Sequence, residues 1–124
     1  MDEIYFPPRE LAVMGVLWRL GSATVAGVRD ALAADLAYTS VLSALQMLEE
    51  KGYARHEAEG RAYRYFPTVG ADRAGASALA RIRDAIFQGS AERMFAQMVA
   101  DKRLGRRELE RMRRLLAERL GEPP

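Results

Sequence analysis

Small hydroxyl and amide side chains recur along one central stretch of the sequence. They are Thr39, Ser40, Ser43 and Gln46. The apolar residues between them, Val41, Leu45 and Leu48, recur at helical spacing, so a helix from about Thr39 to Lys51 would bury one side and expose the polar side. Such side chains can hydrogen-bond to base edges in the major groove of DNA, and a threonine methyl can contact a thymine methyl. The pattern therefore predicts a helix that can contact duplex DNA.

Cationic side chains flank a glycine that follows this stretch. They are Arg55, His56, Arg61 and Arg64. Arginine in a hairpin can bind backbone phosphates or enter the minor groove. Because Glu57 and Glu59 oppose part of this charge, we expect one or two of these arginines to contribute. The hairpin's aromatic residues are expected to pack against the helices, and His56 to be a surface or packing residue.

Three short helices and a hairpin must position these groups. Pro8 favours a helix start and Gly21 a left-handed helix end, while Thr24 is a plausible N-cap for the next helix. Gly60 favours a tight turn between two strands, of which the second is rich in aromatic residues. The expected elements are a first helix that opens at Pro7-Pro8 and ends at Gly21, helices over about 25–34 and 39–51, and strands over 53–57 and 62–66.

The chain after residue 70 is helical in its pattern, with helices expected over 71–87, 91–100 and 106–120. Fourteen large apolar side chains lie in this segment, more than three short helices can bury within one chain. Pairing with a second copy would bury them, although packing onto the first domain is the alternative. The residues predicted for the dimer interface are Leu79, Ile82, Ile86, Phe95, Met98, Leu109, Met112 and Leu116.

The resulting fold class is mostly α with a small β-hairpin. We expect a winged helix-turn-helix DNA-binding domain over residues 1–70 and a three-helix dimerisation domain over residues 71–124. A homodimer has a two-fold axis, which matches an inverted repeat in DNA.

The composition excludes several other classes. The 124 residues are 49% hydrophobic and 29% charged, as in a globular protein, and no apolar run approaches the ~18 residues of a membrane span. The N-terminus lacks the pattern of a signal peptide. With no cysteine, one histidine and no glycine-rich phosphate loop, we expect no enzyme activity, no cofactor, no metal site and no catalytic residue. We expect a cytoplasmic protein without membrane insertion.

The charge distribution leaves two alternatives open. Residues 1–70 carry seven Lys or Arg and nine Asp or Glu, a net charge of −2, and the remainder carries +4. A weakly charged winged helix could be a protein-interaction module that does not bind DNA. The arginines between Arg103 and Arg114 could form a second DNA-binding surface, but the glutamates interleaved with them favour a solvated helix face.

From Glu10 to Pro67 the sequence resembles the penicillinase-repressor (BlaI/MecI/CopY) family of winged-helix transcriptional repressors. The matching segments are Glu10-Leu-Ala-Val-Met14, Val16-Leu-Trp18, Ala23-Thr-Val25, Ala37-Tyr-Thr-Ser-Val-Leu42, Leu48-Glu-Glu-Lys-Gly52, Gly60-Arg-Ala-Tyr63 and Tyr65-Phe-Pro67. The resemblance implies a dimer that blocks transcription at an inverted repeat in a promoter. It places Thr39, Ser40 and Ser43 in the major groove, with Arg61 and Arg64 of the hairpin on the DNA backbone.

The resemblance also bears on regulation. In family members linked to antibiotic resistance, a membrane sensor with a metalloprotease domain triggers cleavage of the repressor, commonly at an Asn-Phe bond. A sensor-linked protease is therefore an expected partner. Gln97-Met98 stand where that bond would fall, and the family's usual second threonine is replaced here by Ser40. Copper sensing through the family's cysteine motif is excluded, because the chain has no cysteine.

Overall fold

The structure is a computed structural model that describes residues 3–123. Within that range it contains six helices and three short strands. In chain order they are α1 (Pro8–Leu20), β1 (Ala23–Thr24), α2 (Val25–Ala31), α3 (Tyr38–Glu50), β2 (Ala54–Glu59), β3 (Ala62–Pro67), α4 (Ala71–Ala85), α5 (Ala91–Val99) and α6 (Arg106–Leu120). This architecture confirms the predicted fold class, a winged helix followed by three further helices.

Two compact units divide the chain, Met1–Leu79 and Ala80–Pro124. The first unit extends beyond the domain boundary expected at residue 70 and includes the first part of α4. The physical reason lies in the core, because Val69 and Ala74 are both buried in the first unit.

The core of the first unit lies among α1, α2 and α3. Its largest fully buried side chains are Met14, Leu17, Leu45, Leu48, Val13, Val28 and Val41. The predicted caps are confirmed: Gly21 has a φ of 85° and donates its N–H to Leu17 O, and the Thr24 hydroxyl accepts from Gly27 N at 3.1 Å. α2 ends at Ala31, three residues earlier than expected, because the extended residue Leu32 packs its side chain against the core.

A three-stranded antiparallel sheet with the order β1-β3-β2 completes the first unit. β1 was not predicted from the sequence; its two residues pair as Ala23 with Tyr65 and Thr24 with Arg64. The hairpin of β2 and β3, called the wing from here on, is longer than expected. Its turn is reduced to Gly60 and Arg61, and the φ of 61° at Gly60 is a left-handed value that favours glycine.

Aromatic side chains fix the path by which the chain leaves the wing. The Phe6 ring packs edge-on against Trp18 at 5.9 Å and against Tyr53 at 4.9 Å between centroids. Trp18 Nε1 donates to Val69 O at 2.8 Å. These contacts hold the segment after β3 on the core, so α4 begins at a defined position in the first unit.

The second unit contains the end of α4 together with α5 and α6. The Ser90 hydroxyl accepts from Arg93 N at 3.1 Å and caps α5, and Gly121 ends α6 in the left-handed conformation. The bounds of α6 equal those predicted, and those of α4 and α5 differ by one or two residues at their C-terminal ends. No side chain of α5 or α6 is buried in the single chain.

Candidate nucleic-acid interface

Helix α3 separates its apolar and polar residues as the sequence predicts. The side chains that face the core are Val41, Ala44, Leu45 and Leu48. Thr39, Ser43 and Gln46 are exposed on the opposite side, and Ser40 is half-buried at one flank. Their arc carries no charge except at the C-terminal end, where Glu50 is also exposed. This surface can approach base edges closely and offers both hydrogen-bond donors and acceptors.

The N-terminus of α3 is open toward solvent. Its N-cap residue is Ala37, whose side chain makes no cap hydrogen bond, and the first backbone amide of α3 that donates to Ala37 O is that of Ser40. Amide groups at such an end are orphan donors, and the helix dipole favours an anion beside them. The polar arc of α3 therefore begins where a phosphate would also be favoured.

One face of the wing is docked on α3. His56 Nδ1 lies 2.6 Å from Glu49 Oε1, and the His56 ring packs at 4.7 Å from Tyr63 and 5.4 Å from Tyr65. Tyr65 is buried, and burial raises the pKa of its phenol, with a smaller contribution from the charge of Glu49. The expectation that the aromatic residues pack toward the helices holds for Tyr65. It is wrong for Tyr63, whose side chain is 52% exposed.

A groove lies between α3 and this face of the wing. Its cavity volume is about 590 Å³. The residues that line it, hereafter the α3–wing groove, are Val25, Tyr38, Leu42, Gln46, Glu49, Glu50, His56, Arg61, Ala62, Tyr63 and Tyr65. The groove brings together two residues predicted for DNA contact, Gln46 from the helix and Arg61 from the wing. Sequence reasoning missed Tyr38 and Tyr63 as its walls, because a tyrosine in an amphipathic pattern resembles a core residue.

The two arginines predicted for the wing have different surroundings. Arg61 is exposed at the turn, and no ion-pair partner for it occurs among residues 3–123. Arg64 is held by Glu59, with Nε to Oε1 at 2.8 Å and Nη2 to Oε2 at 3.1 Å, and its Nη1 donates to Ser22 Oγ at 3.1 Å. The same pair lowers the pKa of Glu59 and raises that of Arg64, chiefly through their hydrogen bonds.

The residues predicted for dimerisation are accessible in the single chain. Seven of the eight are exposed, and Met112 is half-buried. The exposed seven are Leu79 (53%), Ile82 (42%), Ile86 (61%), Phe95 (37%), Met98 (51%), Leu109 (38%) and Leu116 (46%). Leu79 and Ile82 share one face of α4, and Ile86 follows its last residue, with its N–H donated to Ile82 O. Within α6, Leu109, Met112 and Leu116 share one face.

The sequence as a whole matches a family model described as penicillinase repressor over residues 6–118. The chain belongs to the penicillinase repressor family. It is 40% identical over 114 residues to the transcriptional regulator BlaI of Mycobacterium tuberculosis. The aligned region covers 88% of this chain and 80% of that protein. As a member of this family, the chain is a DNA-binding transcriptional repressor with a winged helix.

Solved structures agree with this family assignment. The DNA-binding domain of the repressor BlaI, solved in solution, matches 58% of this chain and 90% of its own with a TM-score of 0.52 and 26% identity. A MarR mutant from E. coli in complex with operator DNA matches 93% of this chain and 76% of its own with a TM-score of 0.54. At 15% identity, that second likeness shows the fold alone.

Over residues 3–123, no group of three or more His, Asp or Glu side chains is placed to hold a metal ion. In the same described range, no helix combines the length and apolar character of a membrane span.

Proposed function

We propose that this chain represses transcription as a homodimer bound to an inverted-repeat operator in promoter DNA. Thr39, Ser40, Ser43 and Gln46 contact base edges in the major groove, and the wing contributes arginine at the DNA backbone, for which Arg61 and Arg64 are the two candidates. The observation that carries the proposal is the exposed, almost uncharged arc of α3 beside the unpaired Arg61, in a chain of a repressor family.

The shortage of charge in the first domain supports the dimeric part of the proposal. Residues 1–70 carry a net charge of −2, so a single copy gains little from the phosphate attraction that dominates protein–DNA affinity. Two linked copies bind two half-sites with a large gain in effective concentration. The exposed apolar side chains of α4, α5 and α6 supply the contact area, since each is worth roughly 1.5–3 kcal/mol when fully buried.

Proteolysis of the dimerisation segment is the release step that we propose from the family resemblance. α5 has nine residues and no buried side chain, so its local unfolding in a single chain breaks few packing contacts. Gln97 and Met98, the pair at the expected position, are both exposed. Immunoblots of cells before and after derepression test this step, since a shortened chain supports proteolysis and a chain of unchanged length contradicts it.

Salt-dependent binding of selected DNA tests the main proposal. Sequences selected on the purified chain should contain an inverted repeat, and affinity for it should fall steeply with salt while a scrambled duplex binds much more weakly. Recovery of no preferred sequence would contradict the repressor function. It would favour the second candidate, a winged helix that binds a protein, which the net charge of −2 over residues 1–70 supports.

Replacement of Gln46 tests the assignment of the base-contacting arc. Gln46→Ala should relax discrimination at one operator base pair by about 1–3 kcal/mol, because a bidentate pair with a base edge would be lost. Met47→Ala is the matched control, since Met47 is an exposed neighbour at 43% that has no polar group for a base edge. Equal effects of the two variants at every operator position would contradict the assignment of Gln46.

A further inference from the structure

The two faces of the wing carry different chemistry. Residues paired across an antiparallel ladder share a face of the sheet. His56 pairs with Tyr65, and this face packs on α3. The opposite face carries the charged residues and one aromatic ring: Arg55, Glu57 and Glu59 from β2, and Arg64 and Phe66 from β3. Arg64 therefore lies on the face of the wing that points away from α3.

All three nitrogens of the Arg64 guanidinium donate within the protein. Two bonds go to the carboxylate of Glu59 near the end of β2, and one goes to the hydroxyl of Ser22 in the turn before β1. Arg64 also pairs through its backbone with Thr24 on one side and with Glu57 on the other. The side chain thus ties the outer end of the wing to the segment that leads into α2.

A second arginine of the same face is also engaged. Arg55 Nη1 donates to Glu57 Oε1 at 2.9 Å, and its guanidinium lies 4.3 Å from the centre of the Phe66 ring. Of the three arginines in the wing, only Arg61 lines the α3–wing groove. Among these three arginines, it is also the one that has no carboxylate partner within residues 3–123.

We propose that Arg64 is a positioning residue that sets the angle of the wing relative to the helix-turn-helix, and that Arg61 alone among the wing arginines contacts a DNA phosphate. The phosphate contact rests on the proposed function. Bidentate pairing with Glu59 fixes the plane of the guanidinium, and the third bond to Ser22 fixes its direction. A phosphate that captured Arg64 would break these bonds and release the outer end of the wing from the segment before α2.

The salt dependence of operator binding separates the two arginines. Arg61→Ala should reduce the slope of log affinity against log salt by about 0.9, the value for one phosphate contact. Arg64→Lys and Glu59→Gln should leave the slope unchanged and weaken operator binding roughly tenfold, comparable with one mismatched base pair. Lysine retains the charge at position 64 but cannot form the same planar pair, so a direct phosphate contact would survive this change. Arg55→Ala is the matched control from the same face and should alter neither the slope nor the affinity for the operator.

Two outcomes would overturn the positioning role. One is a Glu59→Gln variant with higher affinity and a steeper slope, which would show that Glu59 shields a phosphate-binding Arg64. The other is an Arg64→Lys variant with unchanged operator binding. Circular dichroism and thermal unfolding of each variant verify that the fold is retained.

A measurement without DNA keeps this inference separate from the proposed function. Amide hydrogen exchange at residues 58–63 should accelerate in Arg64→Lys and Glu59→Gln and remain unchanged in Arg61→Ala, because only the first two loosen the wing. Equal exchange in all variants would contradict the positioning role even if operator binding is confirmed. If the unmutated chain shows no specific DNA binding, that result would instead contradict the proposed function and the phosphate contact of Arg61.

Discussion

The carboxylate of Glu59 shows how single residues decide what the wing can do. Its hydrogen bonds with Arg64 lower its pKa, so the pair contributes stability above the ordinary pKa of glutamate. That contribution is lost as the pH falls through the lower value of the folded state. Glu59 is therefore ionised near neutral pH, as its pair with Arg64 requires.

This pairing can be observed directly through the titration of Glu59. We expect the carboxyl carbon of Glu59 to titrate below the ordinary range of glutamate, and Arg64→Ala to return its pKa toward that range. The measurement is NMR of the side-chain carboxyl carbon as a function of pH. Arg55→Ala is the control and should leave the titration of Glu59 unchanged. If the titration midpoint of Glu59 is the same in Arg64→Ala as in the unmutated chain, the pair is not formed in solution.

At the scale of elements, two threonines of the first unit have different roles: Thr24 stabilises a helix, and Thr39 is proposed to contact DNA. Thr24 caps α2 through a hydrogen bond to Gly27 N, whereas Thr39 is exposed on α3 and caps nothing. The core needs the first, and the proposed interface needs the second. The docking of the wing through His56 and Glu49 then sets the width of the α3–wing groove.

Replacing the two threonines should separate these roles. Thr24→Ala should lower the free energy of unfolding by about 1 kcal/mol, the usual cost of a lost N-cap. Thr39→Ala should change it by less than about 0.5 kcal/mol, as expected for an exposed site, yet weaken binding to the operator. Urea unfolding and mobility shifts measure the two effects. Matching losses of stability in both variants would contradict this division.

At the scale of the whole molecule, the second unit leaves large apolar side chains exposed. No side chain of α5 or α6 is buried, although these helices carry exposed Phe95, Met98, Leu109 and Leu116. Large apolar side chains exposed in such number mark an interaction site. A second copy is the occupant that the proposed inverted-repeat operator requires.

Charge placed among these side chains should disrupt the proposed dimer. Leu116→Asp is expected to yield monomers in sedimentation equilibrium and to weaken operator binding, because the carboxylate would lose its hydration on burial at the interface. Leu20→Asp is the matched control, since Leu20 is similarly exposed at 52% but lies at the end of α1 in the other unit. An intact dimer of the Leu116 variant would place the interface elsewhere.

The helices could be predicted from the sequence, because the residues that begin and end a helix act on groups close to them in the chain. Proline, glycine and threonine at helix ends act on neighbouring backbone groups, so Pro8, Gly21 and Thr24 marked their boundaries correctly. The alternation of apolar and polar residues in α3 predicted both its buried face and its exposed arc. The hairpin followed from Gly60 and the aromatic-rich segment after it, and the family was evident from motifs between Glu10 and Pro67.

Features that depend on residues far apart in the sequence could be recognised only in the folded structure. β1 is too short to carry a sequence pattern and exists because β3 pairs with it across about forty residues. The first unit extends to Leu79 because Val69 and Ala74 meet a core formed far upstream. Arg61 and Arg64 look equivalent in the sequence, but the register of the wing turns them toward different surroundings. Arg61 lies beside α3 with no carboxylate partner among residues 3–123, and Arg64 is bound by Glu59 and Ser22. Hydrogen-bond partners are set by proximity in space and not by position along the chain.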